Sequence, residues 1–429
     1  MAPIIQIALD FVDLPRALAV AAEAVQGGAD WLEAGTPLIK SEGLEAVREL
    51  KRRFPDHPIV ADLKTMDAGR YEMEAAAKAG AAVAGVLGAA SDSTIAECIE
   101  AGSNYGLRII VDMIEVADPV RRAREAEKLG AHYIGIHTAI DRQMRGEAPF
   151  EILRRVREAV SIPVAVAGGI NSETAAEAAS SGAGIIIIGG AVTKATDAVA
   201  AVRQIRQAAD TGQAVGTTLY KRTAGEDVRD ILAQVSTANI SDALHRGGAV
   251  PGLRPVFTPV KMAGPAVTVR TYPGDWAKPV EAIDRAAPGD IIVIDAGGAG
   301  PAVWGELATE SARERGLAGA VIFGAARDTP EIRRLEFPVF ASLVMPAAGE
   351  PKGFGEIDVP VTISGVKVSP GDWIAGDEDG IVVLPRARAA EIANRAMDVL
   401  ERENRLRREI QDGSTLSKVA HLLKWEKTK

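Results

Sequence analysis

Along the first half of the chain, short continuous apolar runs alternate with stretches whose apolar residues recur at helical spacing. The runs are residues 4–9, 31–32, 59–61, 81–87, 107–111, 133–136, 162–166 and 185–188. Between them, segments 15–27, 43–54 and 68–79 carry the helical pattern. Runs that are apolar throughout, rather than alternating, suit strands covered on both faces. Eight such β/α units within residues 1–209 predict an α/β fold closed as a (β/α)8 TIM barrel. A doubly wound open sheet is the alternative, and polar residues at the strand ends favour the barrel.

The rhythm stops near Ala209. Residues 210–218 (DTGQAVGTT) are small and polar and read as a linker. Beyond them, strand candidates at 266–270, 291–295, 320–323, 339–341, 361–363, 373–375 and 381–384 are punctuated by Gly and Pro. They predict a separate mixed α/β domain over 219–400. Residues 389–410 are charged, with Leu and Met at helical spacing, and predict a packing or oligomerisation helix; 401–429 are read as a helical extension.

Composition narrows the function. Acidic residues outnumber basic ones, 58 to 49, for a net charge of −9. The broad electropositive surface of a general nucleic-acid binder is therefore not expected. Backbone amides can still build a small anion site. The single cysteine, Cys98, excludes an intrachain disulfide framework and a Cys-clustered zinc site, and five scattered histidines argue against a His-rich one. Cys98 itself is read as a packing or solvent-side helix residue. No run approaches the roughly 18 apolar residues of a spanning helix. The start, MAPIIQIALD, reads as a strand rather than a signal peptide. A cytoplasmic enzyme without a membrane or nucleic-acid partner is expected.

Candidate chemistry sits where the apolar runs end. Asp10 follows the first run, Glu33 the second and His137 the sixth; Asp62-Leu63-Lys64 follows the third, with Asp67 soon after. In a barrel these ends converge on one face. Neighbouring carboxylates there can bind a hard divalent cation such as Mg²⁺. A lysine beside them can stabilise a developing enolate and move a proton. Any one of these residues alone is more simply a loop charge or half of an ion pair; the set at successive strand ends favours a catalytic mouth. Ala167-Gly168-Gly169-Ile170-Asn171 follows the seventh run and Gly189-Gly190-Ala191 the eighth. Glycines at these two loops let backbone amides approach an anion, which points to a phosphorylated substrate.

These residues resemble the 3-hexulose-6-phosphate synthase family, within the orotidine-monophosphate decarboxylase superfamily of barrels. The motifs are Glu33-Ala34-Gly35-Thr36-Pro37-Leu38, Asp62-Leu63-Lys64-Thr65-Met66-Asp67, Val111-Asp112-Met113-Ile114 and His137-Thr138-Ala139-Ile140-Asp141, and the resemblance spans residues 1–209. It implies a reversible, Mg²⁺-assisted aldol reaction of formaldehyde with D-ribulose 5-phosphate, with Mn²⁺ as a substitute metal. By position, Glu33 and Asp62 would hold the metal, and Lys64 would stabilise the enediolate and transfer protons with His137 as relay partner. Asp10 would bind substrate hydroxyls, and Asp67 would reach a neighbouring subunit's site. Gly169, Gly189 and Gly190 would seat the phosphate. The related 3-keto-L-gulonate-6-phosphate decarboxylase is the alternative. It shares the acids and the lysine but places an arginine three residues after the histidine, where Ile140 stands here; Arg142 follows two residues later.

In the second half, Ser241-Asp242-Ala243-Leu244, Gly264-Pro265-Ala266, Pro288-Gly289-Asp290, Trp304-Gly305-Glu306-Leu307-Ala308 and Gly324-Ala325-Ala326-Arg327-Asp328 resemble the RraA-like family. That family includes the ribonuclease-activity regulator and class II pyruvate aldolases. An arginine beside an aspartate pairs a carboxylate-binding guanidinium with a hard metal ligand. The resemblance implies that Arg327 binds substrate, Asp328 binds Mg²⁺, Glu306 hydrogen-bonds a metal-bound water and the Leu307 amide holds a pyruvate-like carboxylate. Regulatory relatives keep the same pair. An oxo-acid aldolase and a non-catalytic assembly or regulatory module therefore both stay open, and fusion alone speaks for an isomerase of the next step. Methyl transfer has little support, because no glycine loop for S-adenosylmethionine follows a strand. His245 is read as structural and the acidic stretch 377–379 as a turn. Paired barrels and trimeric RraA-like domains in one chain lead to the expectation of a homo-hexamer, the smallest dihedral assembly satisfying both.

Overall fold

Eight strands, β1 (Ile4–Leu9), β2 (Trp31–Ala34), β3 (Ile59–Thr65), β4 (Val83–Leu87), β5 (Arg108–Asp112), β6 (Tyr133–His137), β7 (Val164–Ala167) and β8 (Ile185–Ile188), each pair in parallel with the next. β1 also pairs with β8, and that contact closes the barrel in this computed structural model. The structure describes residues 2–220, 222–225 and 227–420. The chain divides into two units, residues Met1–Lys221 with Glu401–Lys429, and Arg222–Leu400.

The continuous apolar runs have a direct cause. In β1, Ile5, Ile7 and Leu9 face outward into the large core beneath the helices, while Ile4 packs on an inner cluster of Val60, Val83, Ile110, Tyr133, Ala165 and Ile185. Side chains alternate across a strand, so both sets are needed. Trp31 meets Tyr133 edge-on at 5.7 Å within the inner layer. On β1, β2, β3 and β5 the next inward positions toward the C-terminal ends, Gln6, Glu33, Asp62 and Asp112, are polar, and the apolar plug beneath them is the floor of the site.

One expectation shifts, and one helix is added. β2 and β3 run longer than their apolar cores, so Glu33, Asp62 and Lys64 lie inside strands rather than beyond them. Residues 43–54 hold the expected helix as Glu45–Arg53, and a short helix not read from the sequence, Thr36–Glu42, precedes it, with Gly43 at φ 67° between them. Helix Leu14–Gly27 starts as expected of its sequence. Asp13 accepts from the Arg16 amide at 2.9 Å, proline occupies the first turn, and Gly28 ends the helix in the left-handed region.

In the second unit the strands are β9 (Ala249–Val250), β10 (Arg254–Pro255), β11 (Met262–Arg270), β12 (Ile291–Asp295), β13 (Gly319–Ala326), β14 (Val339–Val344), β15 (Glu356–Ile357), β16 (Val361–Ile363), β17 (Val366–Val368), β18 (Trp373–Asp377) and β19 (Gly380–Leu384). Their order in the main sheet is β10-β14-β13-β12-β11-β18-β19-β9, with β15 on β11; β16 and β17 form a hairpin. β11 to β14 are mutually parallel and the rest pair antiparallel. Alternate residues of β12 feed different cores: Ile292 and Ile294 join one cluster, Ile291 and Val293 the other, with Phe340. β9, β10, β15 and β17 were not anticipated, because two or three residues are too few to show a period.

Several smaller expectations resolve. Cys98 is fully buried in packing rather than solvent-side. Residues 377–380 form the β18–β19 turn, and Asp377 is buried there, accepting from the Thr237 amide at 2.8 Å and hydroxyl at 2.6 Å. Helix Ala389–Gln411 is long, as its pattern predicts. Among the described residues, no helix is long and apolar enough to cross a membrane.

Phe340 has no exposed surface, and removing its ring leaves a cavity that β14 cannot collapse to fill. Phe340→Ala should lower stability by about 3–5 kcal/mol, read as a lower denaturant midpoint in equilibrium unfolding. An unchanged midpoint would contradict the packing described.

Candidate active site

The alternation that builds the barrel floor also builds its mouth. Counting inward positions, β1 presents Gln6, β2 Glu33, β3 Asp62 and Lys64, β5 Asp112 and β6 His137. The structure brings them together. Glu33 is 7% exposed and accepts from the Gln6 amide at 2.6 Å. The Thr36 hydroxyl donates to Asp62 at 2.6 Å. The Lys64 ammonium donates to Asp62 at 3.2 Å and to Asp112 at 3.3 Å. The second oxygen-bound neighbour of Asp112 is His137, whose Nδ1 lies 3.2 Å from the same carboxylate oxygen.

Backbone strain holds this array. Lys64 sits at φ 48°, where the β3–β4 register slips between Ala61 and Thr65. A non-glycine residue in that region costs about 1–3 kcal/mol. Here two carboxylates hold the ammonium in return. Asp10, at the end of β1, is accessible at the mouth and tightly backed: a β-carbon on Gly35 would collide with its Oδ1, and one on Gly189 would stand 3.4 Å from its Oδ2. Gly35 is therefore the residue that lets the Glu33-Ala34-Gly35 turn pass under Asp10.

The charges are unevenly compensated. Burial pushes the Glu33 carboxyl well above the usual range, and the nearby Asp62 and Asp10 push it further. Asp10 is also raised, first by desolvation in its recess and then by Asp62. Burial opposes the charge of Lys64, but Asp62 and Asp112 outweigh it and raise the ammonium to about 12. Burial would raise Asp112 too, yet His137, Lys64 and the Ile114 amide bring it below the ordinary value.

Other candidates lie outside the hydrogen-bonded cluster. Asp67 is exposed in the loop after β3, beside exposed Met66 and near exposed Tyr71. Gly169 follows β7, and Gly189 and Gly190 follow β8, with Gly190 opening the short helix Gly190–Thr193. Asp112, Gln6 and Thr36 were not singled out from the sequence. Asp112 follows the fifth apolar run and obeys the same strand-end rule as the others. Gln6 is the polar interruption in an otherwise apolar β1. Thr36 carries no signal apart from its contact.

In the second unit, Asp328 caps helix Thr329–Arg334 at φ 57°. It accepts from the Glu306 amide at 3.2 Å and lies 3.3 Å from the Arg327 guanidinium. Gly305 leaves room for its carboxylate, which stands 2.5 Å from where a β-carbon would be. Buried Trp304 donates to Thr309 at 2.9 Å and fixes the start of helix Glu306–Glu314. Leu307 is 79% exposed on that helix. Glu306, Leu307, Arg327 and Asp328 thus share one locality at the end of β13. Among the described residues, no group of three or more His, Cys, Asp or Glu side chains forms a ready-made metal site in either unit.

The model of the orotidine 5'-phosphate decarboxylase / HUMPS family matches residues 3–205, and the RraA-like (Aldolase/RraA) family model matches residues 237–383. The 3-hexulose-6-phosphate synthase of Methylomonas aminofaciens is 43% identical over 201 residues, which are 47% of this chain and 96% of that protein. The 3-hexulose-6-phosphate synthase of Bacillus subtilis (strain 168) is 40% identical over 204 residues, covering 47% of this chain and 97% of the relative. Through its barrel the chain therefore belongs to the orotidine 5'-phosphate decarboxylase / HUMPS family, alongside the 3-hexulose-6-phosphate synthases, and its second unit carries an RraA-like domain.

Proposed function

We propose that the barrel catalyses the reversible aldol condensation of formaldehyde with D-ribulose 5-phosphate, giving D-arabino-hex-3-ulose 6-phosphate. The observation that carries this reading is the Lys64 ammonium held between Asp62 and Asp112, with His137 on Asp112 and Glu33 opposite. The likeness to the synthases supports it. The Asp112 contact favours the tautomer with a proton on Nδ1, which leaves Nε2 of His137 as the basic nitrogen. That nitrogen takes the proton from C1 of the ketose. Lys64 is too basic at rest to do so and acts instead as a fixed cation, donating to the enediolate oxygen where charge develops. The C1 carbanion equivalent then attacks the formaldehyde carbon, a carbon–carbon bond forms, and the former aldehyde oxygen takes up a proton. Asp10 binds substrate hydroxyls, and the amides at Gly169, Gly189 and Gly190 hold the phosphate.

Glu33 and Asp62 fit a hard divalent cation. They are acidic, recessed and mutually repelling, and Mg²⁺ commonly takes one or two protein carboxylates with the remaining oxygens from substrate and water. When bound there, the ion supplies Lewis-acid polarisation of the ketose oxygens.

The decarboxylase alternative needs an arginine near His137. Arg142 is turned to Glu147, donating at 2.7 Å and pairing at 2.6 Å, with its side chain 44% exposed. It is engaged elsewhere, which supports aldol chemistry. For the second unit we propose a carboxylate-binding site with a divalent cation at Asp328 and an oxo-acid substrate at Arg327, acting independently of the barrel.

Lys64→Ala should reduce condensation by about 10²–10³-fold with an unchanged circular dichroism spectrum, and chelation of divalent ions should silence the wild type until Mg²⁺ is restored. Full activity in Lys64→Ala would remove this site from consideration.

Cation binding also has a pH signature. A proton and Mg²⁺ compete for Glu33, whose pKa is raised, so Mg²⁺ affinity should climb with pH beyond the ordinary glutamate range. Calorimetric titration across pH should show this slope in the wild type and lose it in Glu33→Gln; an identical slope in both would assign the cation elsewhere.

Asp328→Ala should leave formaldehyde condensation nearly unchanged while abolishing any Mg²⁺-dependent pyruvate release from oxo-acids. Loss of condensation in a folded Asp328→Ala protein would contradict two independent sites.

A further inference from the structure

Helix Ala389–Gln411 belongs to the barrel's unit from Glu401 onward, and its side chains are committed there. Arg405 is 8% exposed. Its Nη2 donates to both oxygens of Glu23 at 2.9 and 3.1 Å, its Nε to Glu409 at 2.8 Å and its Nη1 to the Ala195 carbonyl at 2.7 Å. Glu409 in turn accepts from both terminal nitrogens of Arg16 at 2.9 Å. A guanidinium so enclosed requires partners of this kind.

The residue before Ala195 meets the same helix one turn earlier. Lys194 folds back so that its terminal carbon and ammonium stand 2.7 and 3.1 Å from where a β-carbon on Gly190 would lie. The ammonium pairs with Glu401 Oε2 at 3.5 Å, and the two side chains are 15% and 17% exposed. The other oxygen of Glu401 accepts from the Tyr220 amide at 2.7 Å. An ammonium, paired with Glu401, is thus held against the loop that follows β8. Glu401 and Tyr220 lie outside residues 3–205, the segment that the orotidine 5'-phosphate decarboxylase / HUMPS family model matches.

We propose that Lys194 is a phosphate-binding residue of the barrel, and that Glu401 and Arg405 are its positioning residues, so that the C-terminal helix completes the anion site. The inference rests on reading the Gly189-Gly190 loop as the phosphate seat. Backbone amides offer partial charges; an ammonium adds a charge-assisted hydrogen bond. A lysine already fixed by Glu401 loses little rotamer freedom when the anion arrives. Arg405 acts at one remove, by pinning the Ala195 carbonyl and with it the backbone that carries Lys194.

The test is calorimetric titration of the full-length protein with inorganic phosphate and with D-ribulose 5-phosphate, for wild type, Lys194→Met, Arg405→Met and the double variant. Lys194→Met should weaken both ligands by about tenfold or more. It should raise KM for ribulose 5-phosphate by a similar factor, with kcat and the KM for formaldehyde near wild type. Arg405→Met should weaken phosphate less, and should add nothing in the double variant, because it acts through Lys194. Wild-type phosphate affinity in a folded Lys194→Met protein would overturn the proposal, and additive losses in the double variant would overturn the positioning role. Lys194→Met leaves the Arg405 network in place, so a folding failure of Arg405→Met does not remove the test. Phosphate binding needs no turnover. A protein that binds phosphate through Lys194 yet condenses no formaldehyde would therefore support this site and refute the reaction.

Discussion

The site depends on one ammonium held among carboxylates. Lys64 donates to Asp62 and Asp112, and without it those two acids, Glu33 and Asp10 would face one another in a recess with little water to screen them. The same contacts stabilise the left-handed backbone at Lys64, which the chain would otherwise not adopt. Position and charge are one arrangement: the strained exit of β3 puts the cation where the acids need it, and the acids keep the exit strained.

A barrel is suited to this because it separates the two demands by height. The inner apolar cluster of Val60, Val83, Ile110, Tyr133, Ala165 and Ile185 fills the floor, and on β3 and β5 the acids Asp62 and Asp112 come two residues after Val60 and Ile110. The second unit uses a related device on an open sheet. Asp328 takes a positive φ just past a strand, as Lys64 does where the register of β3 slips, and Gly305, like Gly35, removes the β-carbon that would crowd a carboxylate. In both places a backbone irregularity aims a charged group that a regular strand or helix would point elsewhere.

This explains what was legible in the sequence. The barrel strands could be read because their apolar runs serve two cores at once, and Glu33, Asp62, Lys64 and His137 could be read because they interrupt or follow those runs. The short helix Thr36–Glu42 could not, since seven residues show too little of a period to separate it from the loop after β2. The partnership of Asp112 with His137 is equally hidden, because it joins β5 to β6 through side chains that no local pattern links. Arg405 reads as one charge among many on a solvated helix. Its burial against Glu23 and Ala195 depends on where the chain returns after the second unit.

The unequal compensation of the acids decides which of them a cation would prefer. Asp112 is held below its ordinary pKa by His137 and Lys64. Its contribution to stability is present above the ordinary aspartate value and is lost only as pH falls through its lowered one. It is already paired and has little to gain from a metal. Glu33 is the reverse case, raised by burial and by Asp62 and Asp10. Its neutral form favours the fold at low pH, and that advantage is lost as pH rises through its raised value. The two sides of the mouth are therefore unequally compensated: the cations beside Asp112 favour its carboxylate, while burial and the neighbouring Asp62 and Asp10 disfavour charge on Glu33. A cation bound as proposed at Glu33 and Asp62 would relieve that repulsion, and the contact of Asp112 with His137 would stay outside it. Lys64 bridges the two sides, bonded to Asp62 on one and to Asp112 on the other.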